Sequence, residues 1–521
     1  MFRRSKKIIR GTKIMIVIGL VVAISLPSAL VASGIEQAAV GAPSGKPKMD
    51  ELRIVLAVEP PSLNPLKQPQ SFGNFWGSIL DPLVLYSESF ELTKNGLVTN
   101  WKQRGANTWR ITLRPNVKFT NGELWDANAA AFTLTTYRDT IGAPMRAYLL
   151  QMTATEVVSP SVLDVTFAAP NGSFPAILSA LRALPPKYYA EVGHDGFGSK
   201  PIGTGPYKLK NWTRGVSMNF QANDKTWGPV ANIKKLKMSF ATDADTRVNL
   251  LVSGAVDFAY PIPVQRVVEL QKSKKLKVVS VPERYQMSIF LHANKPSLEN
   301  ESLRKAISLA IDSTSLTRNI LFGLGGSPNC LLLRPLLSKP DKPSCPTPNV
   351  NEAKALVAAV GGNPTINFNY GPAQHTNGEA VGQALAAQLQ AAGFKVNLRP
   401  MEYSKLTTDL VTQKLDGVTM YSIGPVFPHP NVYSQGFLTT TSITKNCKAP
   451  NVDQISASAM TLSGEAADLR YRELEAATIT SGFCMVPLYN EIANWGMSKD
   501  LSGFIAPPVR IIQWASISWG K

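Results

Sequence analysis

Histidine is the side chain that most often moves protons or binds metals, and this 521-residue sequence contains only four. They are His194, His292, His375 and His429. None lies in the H-E-x-x-H spacing of a zinc protease, and no G-x-S-x-G nucleophile turn occurs. A Ser-His-Asp triad can still assemble from distant segments. Because no nucleophile or metal-ligand set stands out, we predict a protein that is not an enzyme and that holds no cofactor or metal.

Two spaced glycines, Gly203 and Gly205, give a weak signal of a nucleotide-binding loop. A phosphate-binding loop requires a helix N-terminus directly after its glycines. Here Pro206 and Tyr207 follow, and the next residues have the pattern of a strand. We therefore predict a tight turn before a strand and no phosphate site.

The first 33 residues have the pattern of an export signal. Six basic residues precede the apolar run Ile14–Leu26, and small residues follow. We predict cleavage near Ala32 or Ser33 and a linker over 34–50. The alternative is an uncleaved anchor, since residues 14–32 give 19 residues, near the ~20 that span a bilayer. No cysteine stands directly after this apolar run, where a lipid anchor would be attached, so we expect no lipid anchor.

The charge of the chain is strongly basic, at +18, and six of those charges belong to the predicted signal. The remaining +12 is scattered, with its densest patches at 234–237 and 272–277. No zinc-finger spacing, aromatic RNP pattern or basic helix accompanies these patches. We predict solvated surface charge and no nucleic-acid partner. Apolar residues at 44% exclude a disordered chain.

The cysteines of an exported chain are expected in disulfides, because their number is even and no C-x-x-C pair occurs. They are Cys330, Cys345, Cys447 and Cys484. Three pairings are possible. We favour Cys330–Cys345, which closes a proline-rich loop, together with Cys447–Cys484.

The elements that must position these side chains are both strands and helices. Residues 106–119 predict a hairpin that turns at Pro115 and Asn116, and Asp126 predicts the cap of a following helix. Residues 365–398 predict a strand, a helix and a second strand, which implies a parallel pair. Strands are also expected at 287–291 and 485–490.

Several long motifs occur in an order typical of one family. Residues 109–122 resemble "yTFtLRkgVkFhdG", 201–209 resemble "pvGTGPYkl", 246–257 resemble "tRlaaLlsGevDia", and 303–312 resemble "vRqAlslAID". The likeness runs from about residue 50 onward. The chain resembles extracytoplasmic solute-binding proteins of ABC importers, family 5, of the oligopeptide, dipeptide and nickel-binding type.

The resemblance implies a mixed α/β (α+β) fold, a two-lobed periplasmic-binding-protein clamp of type II, cluster C-like, with an extra inserted domain. Lobe I would comprise 51–85, 199–285 and 486–521, and lobe II would comprise 286–485. The inserted domain would be 86–198. Ligand would bind between the lobes, and hinge closure would present it to a permease.

The resemblance also implies which residues contact the ligand. They are Asn74, Phe75, Trp76, Tyr260, Gly424, Val426, Phe427, His429 and Tyr489. For each aromatic residue among them, core packing is an equal alternative.

One position departs from the family pattern. In oligopeptide binders an aspartate in the loop after Gly424 pairs with the free amino group of the peptide, and here that position is Val426. A buried ammonium without a partner is costly. A sugar or another non-peptide solute is therefore an alternative ligand. His429 could be considered a nickel or haem ligand, but a single histidine is weak evidence for metal capture.

The resulting functional prediction is a monomeric, extracytoplasmic (periplasmic or cell-surface) component of an ABC importer. It would capture a peptide or a related small solute and deliver it to a membrane permease. Two alternatives remain: an exported hydrolase on the same scaffold, and a peptide-binding chaperone or receptor without a permease.

Overall fold

The computed structural model describes residues 50–68, 73–323, 326–333, 336–337, 347–361, 363–462, 464–507, 509 and 511–520. All of them belong to one compact unit of the chain. The predicted signal peptide and nearly all of the predicted linker lie outside the described residues.

The described strands are β1 (Glu51–Leu56), β2 (Leu85–Tyr86), β3 (Leu92–Thr93), β4 (Val98–Gln103), β5 (Thr108–Leu113), β6 (Met152–Ser159), β7 (Val162–Phe167), β8 (Tyr207–Thr213), β9 (Ser217–Ala222), β10 (Lys235–Phe240), β11 (Phe258–Tyr260), β12 (Leu276–Leu291), β13 (Gly326–Pro328), β14 (Thr365–Tyr370), β15 (Lys395–Pro400), β16 (Val418–Ile423), β17 (Met485–Ser498), β18 (Leu501–Ser502) and β19 (Ser518–Trp519). The described helices are α1 (Gly73–Trp76), α2 (Ala127–Asp139), α3 (Phe174–Ile177), α4 (Pro186–Ser199), α5 (Ala244–Val252), α6 (Val264–Gln271), α7 (Glu301–Ala310), α8 (Ser313–Asn319), α9 (Val350–Val360), α10 (Gly378–Ala391), α11 (Tyr403–Val411), α12 (Asn431–Tyr433), α13 (Val452–Met460) and α14 (Gly464–Glu475).

One large sheet runs through the molecule, in the order β15-β14-β16-β12-β17-β11-β1-β10-β9-β8, with β13 added beside β17. Its two central strands are also its longest, with 16 residues in β12 and 14 in β17. They pair antiparallel along their length, and their register shifts between Pro282 and Gln286. The strands predicted at 287–291 and 485–490 therefore correspond to only one end of β12 and one end of β17.

The register shift divides the sheet into two halves. We use the name lobe I for the half with β1, β8 to β11 and the parts of the central strands at 276–282 and 492–498. We use the name lobe II for the half with β14 to β16 and the parts at 286–291 and 485–490. We call residues 283–285, opposite Glu491, the register break.

A separate antiparallel sheet has the order β4-β5-β7-β6. The predicted hairpin at Pro115 and Asn116 is wrong, because β5 pairs with β4 and β7. Residues 117–119 make only an isolated bridge, from Lys118 to Leu124. The pairing of β5 with the distant strand β7 is stabilised by Arg110, which donates two hydrogen bonds of 2.7 Å to Asp164 on β7.

Local signals elsewhere are confirmed. The Asp126 carboxylate accepts a hydrogen bond of 2.9 Å from the Ala129 amide and caps α2. Strands β14 and β15 are parallel, joined through α10, and Gly393 ends that helix with a φ of +101°.

The Gly203 and Gly205 turn is a close backbone contact. A Cβ at Gly203 would lie 2.0 Å from the Ile79 carbonyl oxygen, and a Cβ at Gly205 would lie 2.6 Å from that of Ser78. Glycine is therefore required by packing, which agrees with the prediction of a turn. No helix among the described residues is long and apolar enough to cross a membrane.

Candidate functional site

The parallel strands of the two lobes point toward each other. In lobe I, β1 and β11 are parallel neighbours that end at Leu56 and Tyr260. In lobe II, β14 and β16 are parallel neighbours that end at Tyr370 and Ile423. Strand β11 is antiparallel to β17, and β16 is antiparallel to β12. Since β12 runs from lobe I to lobe II and β17 runs back, both sets of carboxyl ends face the register break.

Ligands of open α/β sheets bind outside the carboxyl ends of their parallel strands. Here two such edges meet at the register break, so this region is the candidate ligand-binding site. The predicted site residues can now be located relative to it.

Helix α1 supplies the predicted contacts Asn74, Phe75 and Trp76, all of them buried. The Phe75 ring lies 6.0 Å from the ring of Phe240, which ends β10 at the carboxyl edge of lobe I. Asn74 binds the chain near the C-terminus, because its side-chain oxygen accepts a hydrogen bond of 2.9 Å from the Ile512 amide. Among the described residues, the indole N–H of Trp76 has no hydrogen-bond partner. Asn74 therefore holds α1 in place, while the two aromatic rings lie toward the candidate site.

Arg182 is a buried cation that the sequence analysis missed. Its side chain stacks on Trp76, with the guanidinium carbon 4.9 Å from the ring centroid. The nearby carboxylate of Asp81 already accepts hydrogen bonds from Thr204 and Trp227, at 2.8 Å and 2.7 Å. Burial lowers the pKa of Arg182 and raises that of Asp81. A charged group thus lies beside Trp76, one of the predicted contact residues.

Tyr260 lies at the carboxyl end of β11, as a cleft residue should. Its ring stacks on Trp495 at 5.5 Å, and its hydroxyl donates a hydrogen bond of 3.2 Å to Glu283. Glu283 is only 5% exposed and belongs to the register break. This carboxylate therefore lies at the edge of the candidate site.

The loop after β16 packs against Tyr285 of the register break and against Tyr148, which precedes β6. A Cβ at Gly424 would lie 2.6 Å from the Tyr285 ring, so glycine is required there. Val426 is half-buried, and Phe427 is fully buried with its ring 5.0 Å from Tyr148. Tyr148 also donates a hydrogen bond of 2.7 Å to the carbonyl of Val432. These contacts join the segment before β6 to the loop after β16.

His429 packs against residues of its own loop and of α14. Its Nδ1 accepts a hydrogen bond of 3.2 Å from the Asn431 amide, and its ring lies 5.9 Å from Tyr471. Among the described residues no three histidine, cysteine, aspartate or glutamate side chains cluster as metal ligands would. The Asn431 side chain donates to Ser173, a second contact with the inserted domain, at 2.9 Å.

Tyr489 is placed in the hydrophobic core of lobe II, beside Met287 and Leu488. Burial raises its pKa well above the usual value. Phe75, Trp76, Tyr260 and the loop that begins at Gly424 therefore lie around the register break. Tyr489 packs instead in the core of lobe II, and His429 packs against Tyr471.

A buried polar cluster beside the register break resembles a catalytic triad by composition only. His375 Nδ1 lies 3.1 Å from Glu491, and the Ser422 hydroxyl donates to the other oxygen of the same carboxylate. In a nucleophilic triad the serine would bond to the histidine. Because Ser422 and His375 both bond to Glu491, the arrangement is not that of a Ser-His-Asp triad.

One predicted disulfide is confirmed. Cys447 and Cys484 are bonded, with 4.9 Å between their Cα atoms, and fix the segment after α12 to the start of β17. The other predicted pair includes Cys345, which lies outside the described residues.

Comparison with known proteins agrees with this geometry. The profile described as "Bacterial extracellular solute-binding proteins, family 5 Middle" matches residues 93–445. The glutathione-binding protein GsiB of Salmonella paratyphi A is 25% identical over 449 residues, covering 81% of this chain and 86% of that protein.

Two solved structures share the fold. The dipeptide-binding protein of Pseudoalteromonas sp. SM9913, in complex with Met-Leu, has a TM-score of 0.81 at 18% identity and covers 90% of this chain and 100% of that chain. OppA of Haemophilus influenzae, in complex with RPPGFSPFR, has a TM-score of 0.79 at 20% identity and covers 91% and 100%.

The fold is that of the two-lobed periplasmic binding proteins. The chain belongs to the bacterial extracellular solute-binding proteins of family 5, a family of extracytoplasmic transport components.

Proposed function

We propose that this protein captures a small solute between its two lobes and delivers it to a membrane permease. In this proposal residues 51–85, 199–285 and 486–521 act as lobe I, 86–198 as the inserted domain and 286–485 as lobe II. The register break is the hinge. The observation that carries the proposal is the meeting of the two carboxyl edges at the hinge.

The chemistry near the hinge supports binding over catalysis. The buried aromatic rings there offer apolar surface, and buried polar atoms without partners, such as the Trp76 indole N–H and the Asn494 side-chain amide, offer hydrogen bonds. The Ser422 arrangement does not support the hydrolase alternative. We propose that the protein is not an enzyme, acts as a monomer and is exported by residues 1–33.

Native mass spectrometry of the purified full chain tests this function, because a closed clamp retains its solute. A thermal-shift panel of dipeptides, glutathione and neutral oligosaccharides follows, since a solute that binds only the folded state raises the melting temperature. Small-angle X-ray scattering should then show a smaller radius of gyration with the stabilising solute. Turnover of a panel member, with no stabilising solute, would contradict the proposal.

A further inference from the structure

The two densest basic patches of the sequence lie at one edge of lobe I. Residues 234–237 lead into the amino end of β10, which is paired with the start of β1. Residues 272–277 lead from α6 into β12, whose start is paired with the end of β17. Strands β1, β10 and β12 all run from this edge toward the register break. We call the residues at these strand ends the distal edge; they are 50–53, 234–237, 272–277 and 498–500.

The spacing of the two patches follows from the order of the strands. Four inter-strand spacings separate β12 from β10, because β17, β11 and β1 lie between them. At about 4.8 Å for each spacing, the patches are about 20 Å apart across the sheet. An extended anionic surface can contact both patches at once, whereas a small anion cannot.

The distal edge has an excess of unpaired positive charge. Lys235 pairs with Asp50 at 2.6 Å, and Lys234 pairs with Asp224 at 3.4 Å. Five further lysines of this edge are exposed and make no ion pair among the described residues; they are Lys237, Lys272, Lys274, Lys275 and Lys499. Glu51 and Asp500 are the acidic side chains of these strand ends that likewise make no ion pair within the described chain. The unpaired lysines therefore outnumber the unpaired carboxylates.

The N-terminal segment is attached at the same edge. The carbonyl oxygen of Asp50 accepts a hydrogen bond of 2.9 Å from the Lys235 amide, directly before β1. Strand β1 lies between β10 and the paired strands β17 and β12. The linker 34–49 is therefore attached between the two patches. Its 16 residues span at most about 55 Å, so an uncleaved anchor over 14–32 would hold this edge near a bilayer.

We propose that the distal edge binds the surface of an anionic membrane through the phosphate groups of acidic lipids. Near such a surface each lysine strengthens binding roughly fivefold. An acidic protein fits less well, because protein interfaces are enriched in aromatic residues and depleted in lysine. The distal edge is rich in lysine and contains no aromatic residue. This inference goes beyond solute capture and does not depend on it, since the distal edge and the register break lie at opposite ends of the lobe I strands.

The test measures co-sedimentation of the full chain with two kinds of vesicle, one of phosphatidylcholine alone and one of equal parts phosphatidylcholine and phosphatidylglycerol. We expect binding to the second kind at about 0.1 M salt and its loss near 1 M, where the Debye length falls to about 3 Å. A distal-edge variant combines Lys237→Gln, Lys272→Gln, Lys274→Gln and Lys275→Gln. It should bind at least about a hundredfold more weakly than the wild type.

The matched control removes the same charge from lobe II. It combines Lys354→Gln, Lys395→Gln, Arg399→Gln and Lys414→Gln, whose side chains are exposed and make no ion pair among the described residues. The control should bind the vesicles within about threefold of the wild type, because screening confines the attraction to charges near the surface. Both variants retain residues 1–33, so binding through the N-terminal basic residues is common to them. Both should also keep the melting temperature and the affinity for the stabilising solute.

A wild type with no preference for the phosphatidylglycerol vesicles would overturn the inference. Equal binding by the wild type and the distal-edge variant would do the same, because the attraction would then come from other residues, such as the basic N-terminus. An equal loss in the lobe II control would show attraction by net charge alone. Tighter binding of a polyglutamate peptide than of the vesicles, lost in the distal-edge variant, would assign this edge to an acidic protein partner instead.

Discussion

Tyr148 should couple closure of the lobes to ligand affinity. Its hydroxyl donates a buried hydrogen bond of 2.7 Å to the Val432 carbonyl across the boundary between the inserted domain and lobe II. If the bond forms only when the lobes close, Tyr148→Phe destabilises the closed state and leaves the open state unchanged. A closed state that is less populated lowers the observed affinity by the same free energy.

The expected effect follows from the contacts. One buried hydrogen bond contributes about 1 kcal/mol, which corresponds to roughly a fivefold loss of affinity. Tyr148→Leu also removes the edge contact with Phe427, whose ring lies 5.0 Å away. An aromatic pair adds about 1 kcal/mol, so the combined loss should reach roughly thirtyfold.

The assay is calorimetric titration with the solute that stabilises the protein in the panel above. Tyr207→Phe is the matched control, because Tyr207 donates a bond of 2.8 Å to the Ile233 carbonyl within lobe I and is equally buried. The control should lower the free energy of unfolding by about 1 kcal/mol and keep the affinity. Equal affinities of Tyr148→Phe and wild type would refute the reasoning, since the bond would then exist in both states.

Three further outcomes are expected. Replacing Cys447 and Cys484 together by alanine opens a loop with a sequence separation of 37, and chain entropy predicts a loss of about 4 kcal/mol in urea unfolding; a loss below about 1 kcal/mol would contradict this estimate. Val426→Asp should raise the affinity for peptides with a free amino group roughly tenfold but not for N-acetylated ones, and unchanged peptide affinity would show that this loop position does not contact the amino group. Burial lowers the pKa of His292 to about 4 from 6.5, so the unfolded chain takes up the proton first and stability falls as the pH drops from 6.5 to about 4; the loss is about 3 kcal/mol, and a His292→Gln variant with the same pH dependence as wild type would exclude this origin.

Elements with local signals could be predicted from the sequence. Asp126 marks the start of α2, and Gly393 marks the end of α10, because a cap and a left-handed residue act within a few positions. Pairing between distant strands could not be predicted in this way. Pro115 and Asn116 suggested a hairpin, whereas β5 found its partners in β4 and β7.

The central strands show a second reason why the sequence-based prediction of strands was incomplete. A strand that passes from one lobe to another changes the surroundings of its two faces, so its apolar alternation is interrupted. In β12 the interruption is Pro282-Glu283-Arg284, and in β17 it is Asn490-Glu491. The sequence therefore indicated only the apolar end of each strand.

The aromatic residues of the candidate site were expected from the family resemblance, and their contact with a solute stays a prediction. Arg182 and Glu283 were missed because neither belongs to a motif. Arg182 did leave a signal, as the single charged residue in the otherwise uncharged stretch 174–184. A charge in such a stretch is costly to bury without a function or a partner. Glu283 left no comparable signal, because Arg284 follows it and the pair has the appearance of a solvated turn.

The order in which β17 joins the sheet bears on how the protein is made. Strands β11 and β12 are not neighbours in lobe I, because β17 lies between them. The helix that carries Trp76 is likewise held by residues near 512. During synthesis from the N-terminus, lobe I must therefore wait for a segment translated long after its first strand. Until then the apolar surfaces of lobe I that pack against β17 stay uncovered.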